Sequence, residues 1–171
     1  QQRQDWFREY ARMHGLPRLP FVGSVSVHQA PEAVALSIRQ ALALSVEDRQ
    51  QLRTWSEPLR ELIGKTEDAG ILLMASSIVG SNSHRSLDVE EFRGFALSDE
   101  FAPLIFLNGS DSKAAQMFTL AHELAHIWLG ASGISNTEAS RVPEQHLERW
   151  CNRVAAELLM PMEELRQVYD P

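Results

Sequence analysis

The chain has 171 residues, 44% hydrophobic and 23% charged, which are ordinary proportions for a globular protein that can bury a core. Its net charge of −7 argues against a surface devoted to binding nucleic acid, because such surfaces carry an excess of basic residues. The single cysteine, Cys151, excludes an internal disulfide and fits a reducing, cytoplasmic compartment, and no apolar run is long enough to span a membrane.

The first third of the chain is predicted to be helical. Residues 5–14 repeat apolar side chains at three- and four-residue spacing, which is typical of an amphipathic helix. Pro31 favours the first turn of a second helix, because its fixed φ suits that position and no N–H is needed there. Ser45 and Asp48 resemble a capping box, so we expect a third helix from there past Leu62.

The residues after Gly70 predict a small sheet. Residues 71–75 form a short apolar run, which indicates a buried strand, whereas residues 78–86 have the composition of a loop. Residues 92–97 and 103–107 are two more apolar segments separated by a turn, which predicts an antiparallel hairpin. We therefore expect a small, mostly antiparallel sheet of three strands.

The last third of the chain is again predicted to be helical. Residues 112–129 form a helix between serine and aspartate N-cap candidates and Gly130, which is suited to end it. A polar loop over residues 131–143 leads to a helix over residues 143–160, and a short helix follows at residues 162–169. Helices, then a small sheet, then helices again predict an α+β fold.

The residues that point to chemistry are His122-Glu123-Leu124-Ala125-His126, an H-E-x-x-H sequence on the predicted helix. Because residues four apart lie above one another on a helix face, both imidazoles can bind one metal ion. Glu123 lies about 100° around the helix from His122, within reach of a water at that ion, as a general base. The sequence therefore predicts one zinc ion on His122 and His126, although manganese or iron could use the same ligands.

A catalytic zinc usually has a third protein ligand, and the next helix offers several candidates. Helix geometry favours Glu148 over its main rival Glu144, one turn earlier on roughly the same side. Asn152, one turn after Glu148, could hold a histidine ligand through a hydrogen bond. The remaining candidates are Glu138, His146 and Glu157. Thr119 and His146 are also possible auxiliary donors at the site.

Two segments resemble known motifs. Residues 118–130 resemble the signature of the ImmA/IrrE family of metallo-endopeptidases, and residues 148–161 resemble its second motif, E-x-x-A-N-x-F-A-A-E-L-L-M-P. Cys151 stands where that motif has alanine and Val154 where it has phenylalanine, and both keep the helix face apolar. Residues 6–24 also resemble one subgroup of the family, so the likeness extends over nearly the whole chain.

The resemblance implies a compact zincin-like protease in which the sheet packs against the H-E-x-x-H helix. It implies zinc ligands at His122 and His126 and the catalytic base at Glu123, and it supports Glu148 as the third ligand. On this interpretation residues 1–66 are a helical portion that packs on a catalytic portion over residues 67–171, within one compact domain.

The resemblance also implies a role. Known substrates of the family are helix-turn-helix repressors, whose cleavage relieves repression in stress responses, mobile elements or toxin–antitoxin operons. Family members often carry an N-terminal helix-turn-helix, and the start at Gln1 rather than Met fits a piece of such a protein. That segment could bind DNA, whereas we expect this portion to bind neither nucleic acid nor membrane.

Two alternatives to a repressor-cleaving endopeptidase remain open from the sequence. The chain could be a non-catalytic module that holds a repressor or a toxin, with a structural metal, or an aminopeptidase that shares the zinc site. For an endopeptidase we expect the strand at residues 101–108, directly before the H-E-x-x-H helix, to be the sheet edge that receives an extended substrate.

Overall fold

The computed structural model describes residues 2–44, 57–79, 82–135, 142–163 and 166. Within these ranges, no helix is both long and apolar enough to cross a lipid bilayer. The helices and strands are α1 Gln2–Met13, α2 Pro31–Ala41, α3 Glu57–Asp68, β1 Leu72–Ser76, β2 Ile78–Val79, β3 Asn82–Ser86, β4 Gly94–Leu97, β5 Leu104–Asn108, α4 Lys113–Leu129, β6 Gly133–Ser135 and α5 Val142–Leu159.

The main sheet confirms the predicted α+β fold and adds a strand to it. Its order is β1-β5-β4-β6, with β1 parallel to β5 and the other two pairings antiparallel. The hairpin of β4 and β5 is the one that the sequence predicts. The fourth strand, β6, lies in the predicted polar loop over residues 131–143 and pairs with β4 from Gly94 to Ala96. Three residues with one apolar side chain are too few to produce a periodic signal.

Two other sequence predictions about the sheets are wrong. Residues 78–86, expected to be a loop, contain β2 and β3, which pair antiparallel as a separate two-stranded sheet. β3 is entirely polar, so no hydrophobic pattern marks it as a strand. The expected edge strand at residues 101–108 contains β5, which is central because it pairs with β1 on one side and β4 on the other. Its backbone is thus already paired along both sides.

The hydrophobic core lies between the main sheet and α4. On the sheet side, Ala96, Ile105 and Leu107 are fully buried. Residues of α2, α3 and α5 belong to the same cluster, including Val34 and Ile38 from the first third of the chain. Cys151 is buried in it as well, as expected for a small side chain on an apolar helix face. The division at residues 66 and 67 stays a prediction.

The ends of α4 are fixed by local chemistry, as the sequence predicts. The Ser112 hydroxyl accepts a hydrogen bond from the N–H of Ala115, a partner that the first turn of a helix otherwise lacks. Gly130 ends the helix in the left-handed region with φ of 70°. A Cβ at Gly130 would lie 2.9 Å from the Cα of Gly23, so two glycines let this loop approach the helix end. The Gly23 N–H donates to the carbonyl of Ile127, which holds the loop there.

The remaining helix predictions are confirmed where the structure describes them. α1, α2 and α5 agree with the predicted helices to within a few residues. α3 corresponds to the second half of the predicted third helix, and Pro58 lies in its first turn, where proline is tolerated. Residues 45–56 and most of the predicted helix at 162–169 lie outside the described residues.

Candidate metal centre

The middle of α4 brings the two histidines of the H-E-x-x-H sequence together. His122 and His126 lie one turn apart on the helix face directed towards α5, and both are buried, with 5% and 3% of their surface exposed. Their Nε2 atoms are 3.0 Å apart. Two imidazole nitrogens at this separation can supply two of the four ligands of a tetrahedral metal site.

The third donor comes from α5. One carboxylate oxygen of Glu148 lies 3.1 Å from Nε2 of His122, and the other lies 3.4 Å from Nε2 of His126. His122, His126 and Glu148 can each offer a ligand atom, with all three atoms within 4.8 Å of one another. Among the third-ligand candidates whose side chains the structure describes, Glu148 is the residue that the packing of α5 on α4 brings to the histidines.

The donor set fits a divalent metal ion such as zinc. A tetrahedral zinc site with bonds of about 2.0–2.1 Å has neighbouring ligand atoms about 3.3 Å apart. The three separations of 3.0, 3.1 and 3.4 Å in the cluster are close to that value. Two neutral imidazoles and one carboxylate also form a common ligand set of catalytic zinc sites, which leaves a fourth position for water or substrate. These ligands are compatible with a metal ion without fixing which one it is.

Asn152 orients the first histidine. Its Oδ1 lies 2.9 Å from Nδ1 of His122, so it accepts a hydrogen bond from an Nδ1–H. Because one proton stays on Nδ1, the proton that Nε2 donates to Glu148 can be given up, and Nε2 then offers its lone pair to a metal ion. Asn152 follows Glu148 by one turn of α5, so one helix face supplies both the carboxylate and the group that holds the imidazole. The hydrogen bond expected from the sequence is therefore present.

The protonation of the cluster reflects this close packing. Burial alone would raise the pKa of Glu148, but hydrogen bonds from His122 and His126 outweigh it and lower the pKa to about 2. Burial alone would lower the pKa of His122, but its hydrogen bond to Glu148 and the charges of Glu123 and Glu148 outweigh burial and raise it. The site therefore concentrates negative charge around the two imidazoles, which is the electrostatic environment that attracts a cation.

Glu123 is fully buried between α4 and β4, beside the histidines. A Cβ on Gly94, the first residue of β4, would lie 3.4 Å from Oε1 of Glu123 and only 2.6 Å from Cγ2 of Thr119. Only glycine lets the strand approach the helix this closely. The carboxylate is thus packed against the strand, and its charge acts on His122 of the cluster.

The other candidate residues lie elsewhere. Thr119 is buried one turn before Glu123 and packs against Gly94. His146 is exposed and lies outside the cluster of three donors, and a carboxylate oxygen of Glu157 accepts a hydrogen bond from the N–H of Met162 instead. Neither Glu138 nor the side chain of Glu144 is among the described parts of the chain.

Two features were not predicted from the sequence: Gly94, which borders Glu123, and β6, which pairs with β4 beside it. A signal for Gly94 exists, because a glycine inside a strand pattern often marks a close backbone approach. For β6 no such signal exists, since its strand conformation depends on pairing with β4. Gly94 contacts the helix at Glu123 and also pairs with Ser135, so the end of β6 lies one strand away from this contact.

Residues 66–171 match the model of the peptidase M78 family, described as the IrrE N-terminal-like domain. The match covers more than half of the chain and includes α4 and α5, which carry the cluster. No curated protein matches the chain.

Proposed function

The chain belongs to the IrrE N-terminal-like family of metallopeptidases, and from this premise we propose that it is a zinc-dependent endopeptidase that cuts a partner protein. The observation that carries the proposal is the convergence of His122, His126 and Glu148 beside a buried Glu123. Three protein ligands leave one coordination position open, which distinguishes catalytic zinc sites from closed structural ones.

The roles of the residues follow from their positions. A bound zinc ion would act as a Lewis acid on the scissile carbonyl and would make the attacking water more acidic. Glu123 would accept a proton from that water and return it to the leaving amine, since it lies on the same helix as both histidines. Asn152 keeps the His122 proton on Nδ1, so that Nε2 stays available as a ligand.

We place the substrate along β6 instead of β5. On one side β6 pairs with β4, and no second partner strand is found among the described residues. Since Gly94 pairs with Ser135 and also borders Glu123, an extended peptide added to the outer side of β6 would run two strand spacings, about 10 Å, from the strand that covers the base. Pairing of main chains along an edge strand would orient the scissile bond without requiring a particular side chain.

As substrate we propose a helix-turn-helix repressor, whose cleavage would relieve repression in a stress response or in the control of a mobile element or toxin–antitoxin operon. The family resemblance of the two motifs supports this proposal, and the buried free Cys151 is compatible with a reducing cytoplasm. The charge of −7 is also compatible with a basic protein partner.

The proposal is tested by incubating the zinc-loaded protein with the helix-turn-helix repressor encoded by a neighbouring gene. We expect the wild type to cut the repressor at one position, and Glu123→Gln to bind zinc equally well but leave the repressor intact. Intact-mass spectrometry identifies the products, and metal analysis reports the zinc content of both proteins. A Glu123→Gln protein that cuts at the wild-type rate would falsify the general-base assignment.

The incubation with the repressor, together with digestion of a peptide library, separates the endopeptidase from a non-catalytic module and from an aminopeptidase. Binding of the repressor without cleavage by the zinc-loaded wild type would indicate a regulatory binding module with a structural metal. Removal of single residues from the N-terminus of a peptide library would indicate an aminopeptidase. The three metal donors and a buried carboxylate on the same helix, Glu123, are all present, which is why we favour the endopeptidase.

A further inference from the structure

A groove of about 450 Å³ lies between α5 and the loop that leads into α2. Two histidines and two arginines line it, and we call it the basic groove. These residues are His28, His146, Arg149 and Arg153. The apolar floor is formed by Val27, Ala30, Pro31 and Trp150. None of these residues belongs to the metal cluster or to the mechanism above.

The walls of the basic groove are fixed by hydrogen bonds. Nε1 of Trp150, a buried residue of α5, donates to the carbonyl of Gln29 over 2.9 Å and ties the loop to the helix. The side-chain oxygen of Gln29 accepts a hydrogen bond from the N–H of Ser26, and the backbone N–H of Gln29 donates one to the carbonyl of Ser26. The groove therefore exists before any ligand binds, which lowers the entropy cost of binding.

The cations of the basic groove are largely uncompensated. Arg149 is exposed and forms no ion pair within the part of the chain that the structure describes. Arg153 lies 3.7 Å from Glu32, but both side chains are more than half exposed, so their attraction is weak. The chain carries a net charge of −7, so most of its surface repels an acidic ligand. The basic groove is a place on this surface where such a ligand is attracted instead.

The shape of the groove indicates an extended ligand. His146, Arg149 and Arg153 are spread along two turns of α5, which is a length of about 10 Å. A single phosphate needs donors that converge on one point, whereas this length matches about three residues of an extended peptide. The apolar floor beneath the charges would also suit the aliphatic stems of glutamate side chains.

The basic groove and the metal centre share α5. Arg149 directly follows Glu148, and Arg153 directly follows Asn152, so each cation is about 100° around the helix from a residue of the metal site. Resting on the proposed peptidase function, we infer that the basic groove is a docking site for an acidic segment of the protein substrate, close in sequence to the bond that is cut. The substrate is then recognised by the local charge of this segment, whatever the charge of the rest of the protein.

Binding is tested with a peptide of six consecutive glutamates, labelled with fluorescein and flanked by glycine and serine. Its affinity for the zinc-loaded Glu123→Gln protein is measured by fluorescence anisotropy at low and at high salt. We expect Arg149→Glu and Arg153→Glu each to weaken binding by about tenfold at low salt, because each replaces an attractive charge by a repulsive one. Arg60→Glu, on the exposed face of α3, makes the same change of net charge and should leave the affinity within about twofold.

A variant that should strengthen binding shows that weaker binding by the arginine variants is not caused by misfolding. Glu32→Gln removes the carboxylate that faces Arg153, so it should bind the glutamate peptide several-fold more tightly. Equal binding by the wild type and both charge-reversed variants, or no binding at all, would overturn the inference. Tighter binding of inorganic tripolyphosphate or of single-stranded DNA in the same groove would overturn the choice of a peptide.

The binding result does not depend on cleavage, since it is measured on the Glu123→Gln protein. Failure of the wild type to cut any peptide would refute the proposed function but leave a measured docking site in place. Where the wild type cuts, Arg149→Glu should raise KM for peptides with glutamates near the scissile bond and leave kcat unchanged. A change in kcat alone would contradict docking.

Discussion

The charges of Glu123 and Glu148 both act on His122, but the surroundings of the two carboxylates suit them to different tasks. Glu148 accepts hydrogen bonds from both imidazoles, and these lower its pKa to about 2 although burial opposes them. Such a carboxylate stays ionised and suits a permanent ligand. Glu123 lies on the neighbouring side of α4 and is buried under Gly94, a position that suits the general base proposed for it.

Removing the support of one histidine should weaken metal binding without unfolding the protein. Asn152→Ala deletes the acceptor for Nδ1 of His122, so the imidazole loses its fixed tautomer and orientation. We expect the zinc affinity to fall by about 10–100-fold, as for other groups that orient a metal-bound histidine. Competition with a chromophoric zinc chelator measures the affinity.

The readout is specific if the melting temperature of the metal-free Asn152→Ala protein stays close to that of the metal-free wild type. Asn152 is exposed, so its loss removes little buried surface. An unchanged zinc affinity would show that packing of α4, and not this hydrogen bond, fixes the orientation of His122.

At the scale of elements, the approach of β4 to α4 depends on Gly94. A methyl group there would lie 2.6 Å from Cγ2 of Thr119 and 2.8 Å from the carbonyl oxygen of Phe106, so strand and helix would have to separate. We expect Gly94→Ala to destabilise the fold by about 1–3 kcal/mol, as overpacking of a core does, and to reduce peptidase activity through Glu123. Urea denaturation measures the loss of stability.

The matched control for Gly94→Ala is Gly64→Ala in α3. A Cβ at Gly64 meets nothing within 4 Å, so only the backbone effect of the change remains. Because alanine favours a helix over glycine, this variant should be more stable by about 0.5–1 kcal/mol. Equal effects at the two positions would contradict the close approach at Gly94.

A helix or strand could be predicted from the sequence where the residues that determine it lie within the element or next to it. The ends of α4 are predictable because Ser112 and Gly130 act within one turn of the helix. β3 and β6 are polar or very short, and their conformation comes from pairing with β2 and β4, which periodicity does not encode. In the same way, the sequence leaves several residues possible as the third metal ligand. The choice between them depends on how α5 packs against α4, which the sequence pattern does not encode.

Asp99 joins α1 to the turn between β4 and β5. Its Oδ1 accepts hydrogen bonds from the N–H groups of Phe101 and Ala102, and its Oδ2 accepts one from Arg8 of α1. Burial alone would raise its pKa, but these hydrogen bonds and the charge of Arg8 outweigh it and lower the pKa. We expect Asp99→Asn to lower the stability by about 1–2 kcal/mol at neutral pH, through loss of charge-assisted hydrogen bonds.

The stabilisation by Asp99 should depend on pH in a defined direction. Because the pKa of Asp99 is lower in the folded state, its contribution is complete above the unfolded value of about 4 and is lost as the pH falls through the folded value. The difference in melting temperature between wild type and Asp99→Asn should therefore be constant above pH of about 5 and shrink in more acidic solution. A difference that grows with acidity would contradict the assignment.

At the scale of the whole molecule, the metal centre joins parts of the fold that are far apart along the chain. α4 supplies two donors and α5 supplies one, and α5 also packs against α2 from the first third of the chain. Both helices contribute to the single core, which also contains residues of α3 and of the sheet. A metal ion in this position therefore bridges elements whose relative placement defines the fold.

Removal of the metal should consequently destabilise the entire domain. An ion that binds only the folded state adds about 2.7 kcal/mol when its free concentration is 100 times its dissociation constant. For a domain of this size that corresponds to a rise of roughly 5–11 °C in melting temperature, and the rise should increase with zinc concentration. We expect chelator to abolish it, Glu123→Gln to retain it, and Glu148→Ala to lose most of it, because, of these two glutamates, only Glu148 is a donor of the cluster. Thermal denaturation of the three proteins in a zinc titration measures these shifts, and an equal rise in Glu148→Ala and wild type would place the metal elsewhere.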